Sequence, residues 1–171
     1  MTEEYVYWVD ENDNVLGKVT RKEMRAKKLL HRSVFIIVFN TKGDILIHRR
    51  TATKDIFPNY YAIFVGGTLT YGESYEQGAI RESEEEIGAK DAKLQFIFKY
   101  LFDDPKTTRV MFYVYKLLYD GPLRLQKEEV AWARFIPFSK LKEVMKKEKF
   151  CPDDIELFNK YLKEVHDKKR K

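Results

Sequence analysis

GTLTYGESYEQGAIRESEEEIGA, residues Gly67 to Ala89, is the most informative segment of this 171-residue chain. Ser74 stands three residues before Gln77, the spacing of a capping box, so a helix is predicted to begin there. At about 100° per residue, Glu82, Glu85 and Glu86 fall on one side of that helix and Glu84 is turned away. Three carboxylates so placed repel one another, and nothing inside the helix is expected to offset them. The arrangement becomes favourable when a divalent cation sits among the oxygens. Ligands that are all oxygen suit hard ions, Mg²⁺ first and Mn²⁺ as well. A Mg²⁺ held by a few carboxylates keeps several waters and is the usual partner of a phosphate chain. The segment therefore points to metal-dependent chemistry on a diphosphate.

Outward from this helix the pattern alternates. Upstream, Tyr5–Val9 and Val15–Val19 flank the turn-rich Asp10–Asn14, which reads as an N-terminal hairpin extension over about residues 5–19. Thr20 is expected to cap a short helix through Leu30, with Glu23 as its capping-box partner. Val34–Phe39 and Ile45–His48 read as adjacent strands around Gly43. Tyr61–Val65 reads as a strand that ends at the Gly66-Gly67 loop. Downstream, Leu94–Phe102, Val110–Tyr119 and Ala131–Ile136 are strand-like, and two amphipathic helices are expected over about residues 139–167. Residues 1–171 thus read as one domain of mixed α/β class, a length sufficient for one well-buried core.

The composition is 44% hydrophobic and 35% charged, as in soluble globular proteins, and no apolar run approaches membrane-spanning length. The one cysteine, Cys151, excludes an internal disulfide and is consistent with a reducing cytoplasm. The formal charge is +5, but much of the excess lies in Lys140–Lys149 and in the His166–Lys171 tail. Those stretches read as solvated helix faces and a frayed end rather than as a nucleic-acid surface.

Gly67, Glu73, Arg81-Glu82, Glu85-Glu86 and Gly88 have the spacing G-x5-E-x7-R-E-U-x-E-E-x-G-U and resemble the Nudix box. Ser83 and Ala89 depart from it, being small at two positions usually bulky, and are expected to weaken packing behind the helix. The resemblance implies an α/β/α sandwich with a mixed central sheet. It also implies Glu82, Glu85 and Glu86 as metal ligands, with any of the three able to act as base, and a structural Glu73–Arg81 ion pair. Glu129, next to the apolar Val130, resembles the additional catalytic glutamate of many such enzymes.

His31–Phe35, Gly43–Arg50 and Lys54–Pro58 are further similar to isopentenyl-diphosphate isomerase and its hydrolase-like relatives. In that subgroup Arg50 and Lys54 match the pair that grips the substrate's diphosphate, a role suited to two fixed cations. The isomerase's cysteine is missing from Tyr60–Gly67, Cys151 lies far outside the motif, and Met24 stands where a second histidine is expected. His31 then reads as a local hydrogen-bonding residue. Asp103-Asp104 aligns loosely with isomerase acidic residues.

The leading expectation is thus a Mg²⁺-dependent pyrophosphohydrolase that cleaves a nucleoside diphosphate derivative. Isomerase activity and a non-catalytic nucleotide- or RNA-binding module are the alternatives. The implied partner is a small-molecule diphosphate, with a homodimer left open and no membrane called for. The aromatic residues Tyr60, Tyr61, Phe64, Tyr71, Phe102 and Phe150 are read as core filler before base-stacking groups.

Overall fold

A computed structural model describes residues 3–168; the last three residues of the lysine-rich tail lie outside them. The chain runs β1 (Tyr5–Val9), β2 (Val15–Thr20), α1 (Arg21–Lys27), β3 (His31–Phe39), β4 (Ile45–Arg50), β5 (Tyr61–Ala62) and β6 (Phe64–Thr68). It continues through α2 (Tyr75–Ile87), β7 (Leu94–Asp104), β8 (Thr108–Leu118), β9 (Val130–Ile136), α3 (Leu141–Lys147) and α4 (Pro152–Lys168). Among the described residues no helix is long and apolar enough to cross a membrane.

β3 is the axis of the fold. Its residues are apolar on both faces, as a strand covered on both sides must be. Ile37 and Phe39 pack with Leu141, Leu157, Phe158 and Tyr161 of α3 and α4. Val34, Ile36 and Val38 pack with Ala79 and Ile87 of α2. A mixed sheet is thus sandwiched between helices, with one core on each face. β8 lies parallel to β3 from His31↔Val110 to Phe39↔Leu118, and β6 lies antiparallel to it from Ser33↔Thr68 to Ile37↔Phe64.

Several local expectations need correction. β3 and β4 pair only at Phe39↔Ile45, because β4 turns away to pair with β9. Tyr61–Val65 is not one strand. The segment pairs with β4 through Tyr61 and Ala62, then crosses to β3, and it runs through Gly66 and Gly67 as far as Thr68. At this crossing the amides of Ile63 and Phe64 both donate to Asp154 Oδ1 of α4, the second at 2.9 Å. His48 Nε2 lies 3.0 Å from the Phe64 carbonyl, so the ring carries its proton on Nε2. Backbone groups at a buried strand crossing thereby find side-chain partners.

Helix α1 stops at Lys27 rather than Leu30, because Lys28 adopts φ 51° and its amide turns back to Arg25 and Met24. The Thr20 hydroxyl accepts from the Glu23 amide as expected, but the Glu23 carboxylate pairs with Lys27 instead of closing the box. Ser74 and Gln77 do form a complete capping box. Ser83 and Ala89 are fully buried, and the Ser83 hydroxyl donates to the Ala79 carbonyl at 2.8 Å. Their small size lets the end of α2 lie against the sheet without loosening it. Of the six aromatic residues, Phe64, Phe102 and Phe150 are core, and Tyr61 packs against Phe150 and Trp132. Tyr60 lies beside Phe57 under Lys149, and Tyr71 is exposed beside Tyr7.

Candidate active site

A cavity of about 370 Å³ opens where β3, β6 and β8 meet the start of α4. α2 and the loop before β9 supply Glu82, Glu85 and Glu129 to its wall. β4 and the loop after it supply Arg50 and Lys54, and α1 supplies Arg21 and Arg25. The lining thus combines carboxylates with cations, some of them paired with one another.

Arg81 organises the carboxylate side. Its guanidinium donates to Glu73 at 2.6 and 3.0 Å, to Glu82 at 2.8 Å and to Glu85 at 3.0 Å. The expectation that nothing within the helix offsets the three glutamates is therefore corrected, since an arginine one residue before Glu82 sits between two of them. Glu73 also accepts the Thr70 amide at 2.9 Å, which ties the loop to the helix. Burial works against the ionised Glu73, yet Arg81 and Thr70 hold its carboxyl below the usual range. The Glu73 bond, followed by the charge of Glu82, pushes Arg81 well above its ordinary value.

Glu86 is the deepest of the three. It is 4% exposed, and its recorded bond is a long one of 3.4 Å from the Gly66 amide. Burial, then the charges of Glu82 and Glu129, push its carboxyl far up. Burial also raises Glu82, against the pull of Arg81. Glu85 stands at the rim, with about half of its side chain exposed. Glu84 faces outward and reaches Lys90. Gly67 has no side chain to intrude here, and a Cβ would fall 2.7 Å from Glu82 Oε1. Gly88 ends α2 with φ 76°, a conformation suited to glycine.

The glutamates do not converge on a point. Among the described residues the one trio of candidate ligand atoms within 4.8 Å of one another is Cys151, Asp153 and Asp154. This trio was missed in the sequence, where Pro152-Asp-Asp looks like an ordinary helix start. Cys151, read as far outside the motif, lines the cavity. Burial, followed by the two aspartates, drives its thiol far up, and burial with Asp153 pushes Asp154 to about 8. Asp154 is already committed to two backbone amides, so the trio anchors α4 to the strand crossing. The donor set that fits a hard cation is the all-oxygen one. Glu82 and Glu86 are buried and mutually repelling, and of the two only Glu82 has a cation, Arg81, at hydrogen-bond distance.

Among the cations of the lining, Arg50 donates to the Ile56 carbonyl through Nε and Nη2 at 3.2 and 3.0 Å. Lys54 is paired with Glu129. Glu128 is exposed, and its carbonyl accepts from Thr51. His31 is buried, its Nδ1 lies 3.0 Å from the Leu29 carbonyl, and burial lowers it to about 4. Asp103 and Asp104 sit at the tip of the β7–β8 hairpin, engaged with Arg109 and Thr107.

A family model described as NUDIX domain matches residues 29–161. The chain is 39% identical over 159 residues to an uncharacterised Nudix hydrolase of Pseudomonas aeruginosa, covering 93% of this chain and 94% of that protein. It is 41% identical over 151 residues to another from Streptomyces coelicolor, covering 88% and 83%. A crystal structure from Deinococcus radiodurans superposes with TM-score 0.78 at 25% identity, covering 92% of this chain and 98% of that one.

Proposed function

The chain belongs to the Nudix hydrolase family, and on that premise we propose that it is a Mg²⁺-dependent pyrophosphohydrolase acting on a nucleoside diphosphate derivative. The observation that carries this reading is one cavity lined by the carboxylates Glu82, Glu85 and Glu129 together with the cations Arg50 and Lys54. Glu82, Glu85 and Glu86 would hold Mg²⁺, or Mn²⁺, and the ion when bound supplies Lewis-acid polarisation of the phosphoryl oxygens.

The protein's own groups account for the rest. Arg50 has one terminal nitrogen not engaged by Ile56, and Lys54 stands beside it. Together they neutralise charge on the diphosphate as the bond to phosphorus forms. Glu129 is oriented by Lys54 and takes a proton from the attacking water. Glu73 and Arg81 fix the loop and the helix, and thereby the positions of Glu82 and Glu85. The single cysteine fits a reducing, cytoplasmic setting.

Purified protein with Mg²⁺ should release phosphate products from one member of a panel of NADH, ADP-ribose, dinucleoside polyphosphates and modified nucleoside triphosphates. Glu85→Gln and Glu86→Gln should each lower turnover by about a hundredfold or more without unfolding the chain. Undiminished turnover in both variants would overturn the assignment.

A second reading, isopentenyl-diphosphate isomerase, draws on the subgroup resemblance and on the Cys151 thiol at the cavity wall. The depth of that thiol and its elevated pKa oppose proton transfer near neutral pH. Conversion of labelled isopentenyl diphosphate to its isomer would establish this reading instead.

A further inference from the structure

The matched family domain begins at residue 29, yet α1, which precedes it, puts two arginines into the cavity. Arg81, also in the lining, is bonded to Glu73, Glu82 and Glu85, and of the other four cations there three have evident partners. Arg21 donates to Glu4 at 3.0 and 3.2 Å, Arg50 to the Ile56 carbonyl, and Lys54 pairs with Glu129. Arg25 differs. Its Nε is buried and has no hydrogen-bond partner among the described residues. Its anionic neighbour is Asp55, at 3.3 Å but out of line for a hydrogen bond, and the Asp55 side chain is 57% exposed. Burial and the nearby charges of Arg21 and Arg50 act against the charged guanidinium, with Asp55 and Glu4 offsetting part of that. A buried donor left unmade in a ligand cavity is a group that a ligand can satisfy.

Charge matching says which ligand. A diphosphate linking two moieties carries one negative charge on each phosphorus, and Arg50 and Lys54 already match those. Arg25 is surplus to such a substrate. We propose that Arg25, supported by Arg21, is a specificity residue that grips a phosphoryl group beyond the two flanking the cleaved bond. The substrate class is then a diphosphate bearing a further phosphoryl group, either in the chain or as a phosphomonoester on one moiety. This rests on the pyrophosphohydrolase reading above for the identity of the cleaved bond, but not for the anion site itself.

Binding of inorganic pyrophosphate and inorganic tripolyphosphate, measured by titration calorimetry with Mg²⁺ present, tests the site without requiring turnover. The wild type should favour tripolyphosphate by about tenfold or more, the scale of one charge-assisted hydrogen bond. Arg25→Gln should abolish that preference, lowering tripolyphosphate affinity much more than pyrophosphate affinity. Asp55→Asn, which removes the competing carboxylate, should strengthen tripolyphosphate binding, a direction that damage to the fold would not produce.

Matched substrates then identify the source. An Arg25-dependent drop in KM for NADPH relative to NADH marks a phosphomonoester, and one for a nucleoside triphosphate relative to its diphosphate marks a chain phosphate. Equal loss for both anions in Arg25→Gln, or an unchanged preference, overturns the proposal. Hydrolysis indifferent to Arg25 would refute this site and leave the reaction assignment standing. An Arg25-dependent tripolyphosphate preference in a protein that hydrolyses nothing would do the reverse.

Discussion

Gly67→Ala separates metal binding from folding. The added Cβ would stand 2.7, 3.0 and 3.1 Å from Oε1, Cδ and Oε2 of Glu82, so the whole carboxylate is in the way. To reach an ordinary contact near 3.4 Å the group must retreat by about 0.7 Å. Glu82 is the end of a flexible side chain, so the retreat costs the fold about 1 kcal/mol or less. Metal sites are less forgiving, because ligand distances hold to within about 0.2 Å. Mn²⁺ affinity, read by electron paramagnetic resonance or calorimetry, should fall by about ten- to a hundredfold with the melting temperature nearly unchanged.

Gly66→Ala is the contrasting variant. There φ is 146° and a Cβ would lie 2.0 Å from the Val34 carbonyl oxygen, which is backbone of the central strand and cannot move aside. That variant should lose more than about 4 kcal/mol or fail to fold. If Gly67→Ala binds Mn²⁺ as the wild type does, Glu82 is not a ligand and the geometric reasoning is wrong.

Glu73→Gln weakens a two-point ion pair with Arg81 that is partly screened by solvent, so about 1–2 kcal/mol of stability should be lost in urea unfolding. A loss near zero would remove Glu73 from its bracing role. His48 is buried and neutral, with a folded value of about 4 against about 6.5 unfolded. Its contribution is full above pH 6.5 and is lost as the pH falls towards 4, amounting to about 2 kcal/mol at pH 5. His48→Gln should therefore show a smaller stability difference between pH 7 and pH 5, and an undiminished difference would count against it. Cys151 is buried with a raised pKa, so native protein should resist thiol reagents until it unfolds, and Cys151→Ala should keep pyrophosphohydrolase turnover. Rapid labelling of native protein would show that the thiol is accessible.

Most of helix α2 was legible in the chain because its signals are local. The Ser74–Gln77 box, the side shared by Glu82, Glu85 and Glu86, and the outward Glu84 follow from helical spacing alone. So did most strands, since alternating or continuous apolar runs such as Val34–Phe39 announce burial. The splayed β3–β4 pair and the strand crossing at Ile63 were not legible, because both depend on partners distant in sequence, β9 and Asp154.

The same division runs through the site. The sequence singled out the box glutamates, Glu129 and the Arg50–Lys54 pair as candidates, each through a short stretch that resembles a family motif, and all of them but Glu86 line the one cavity. The Arg81 bridge to Glu82 and Glu85, one and four residues away on the same helix, was legible in the sequence. Only the tertiary structure decided that Cys151 and its aspartates meet the cavity and that Arg25 arrives from outside the matched domain. Each of these is a contact between side chains or elements brought together by packing. Helical periodicity fixes angles along one element, and it carries no information about what another element places opposite.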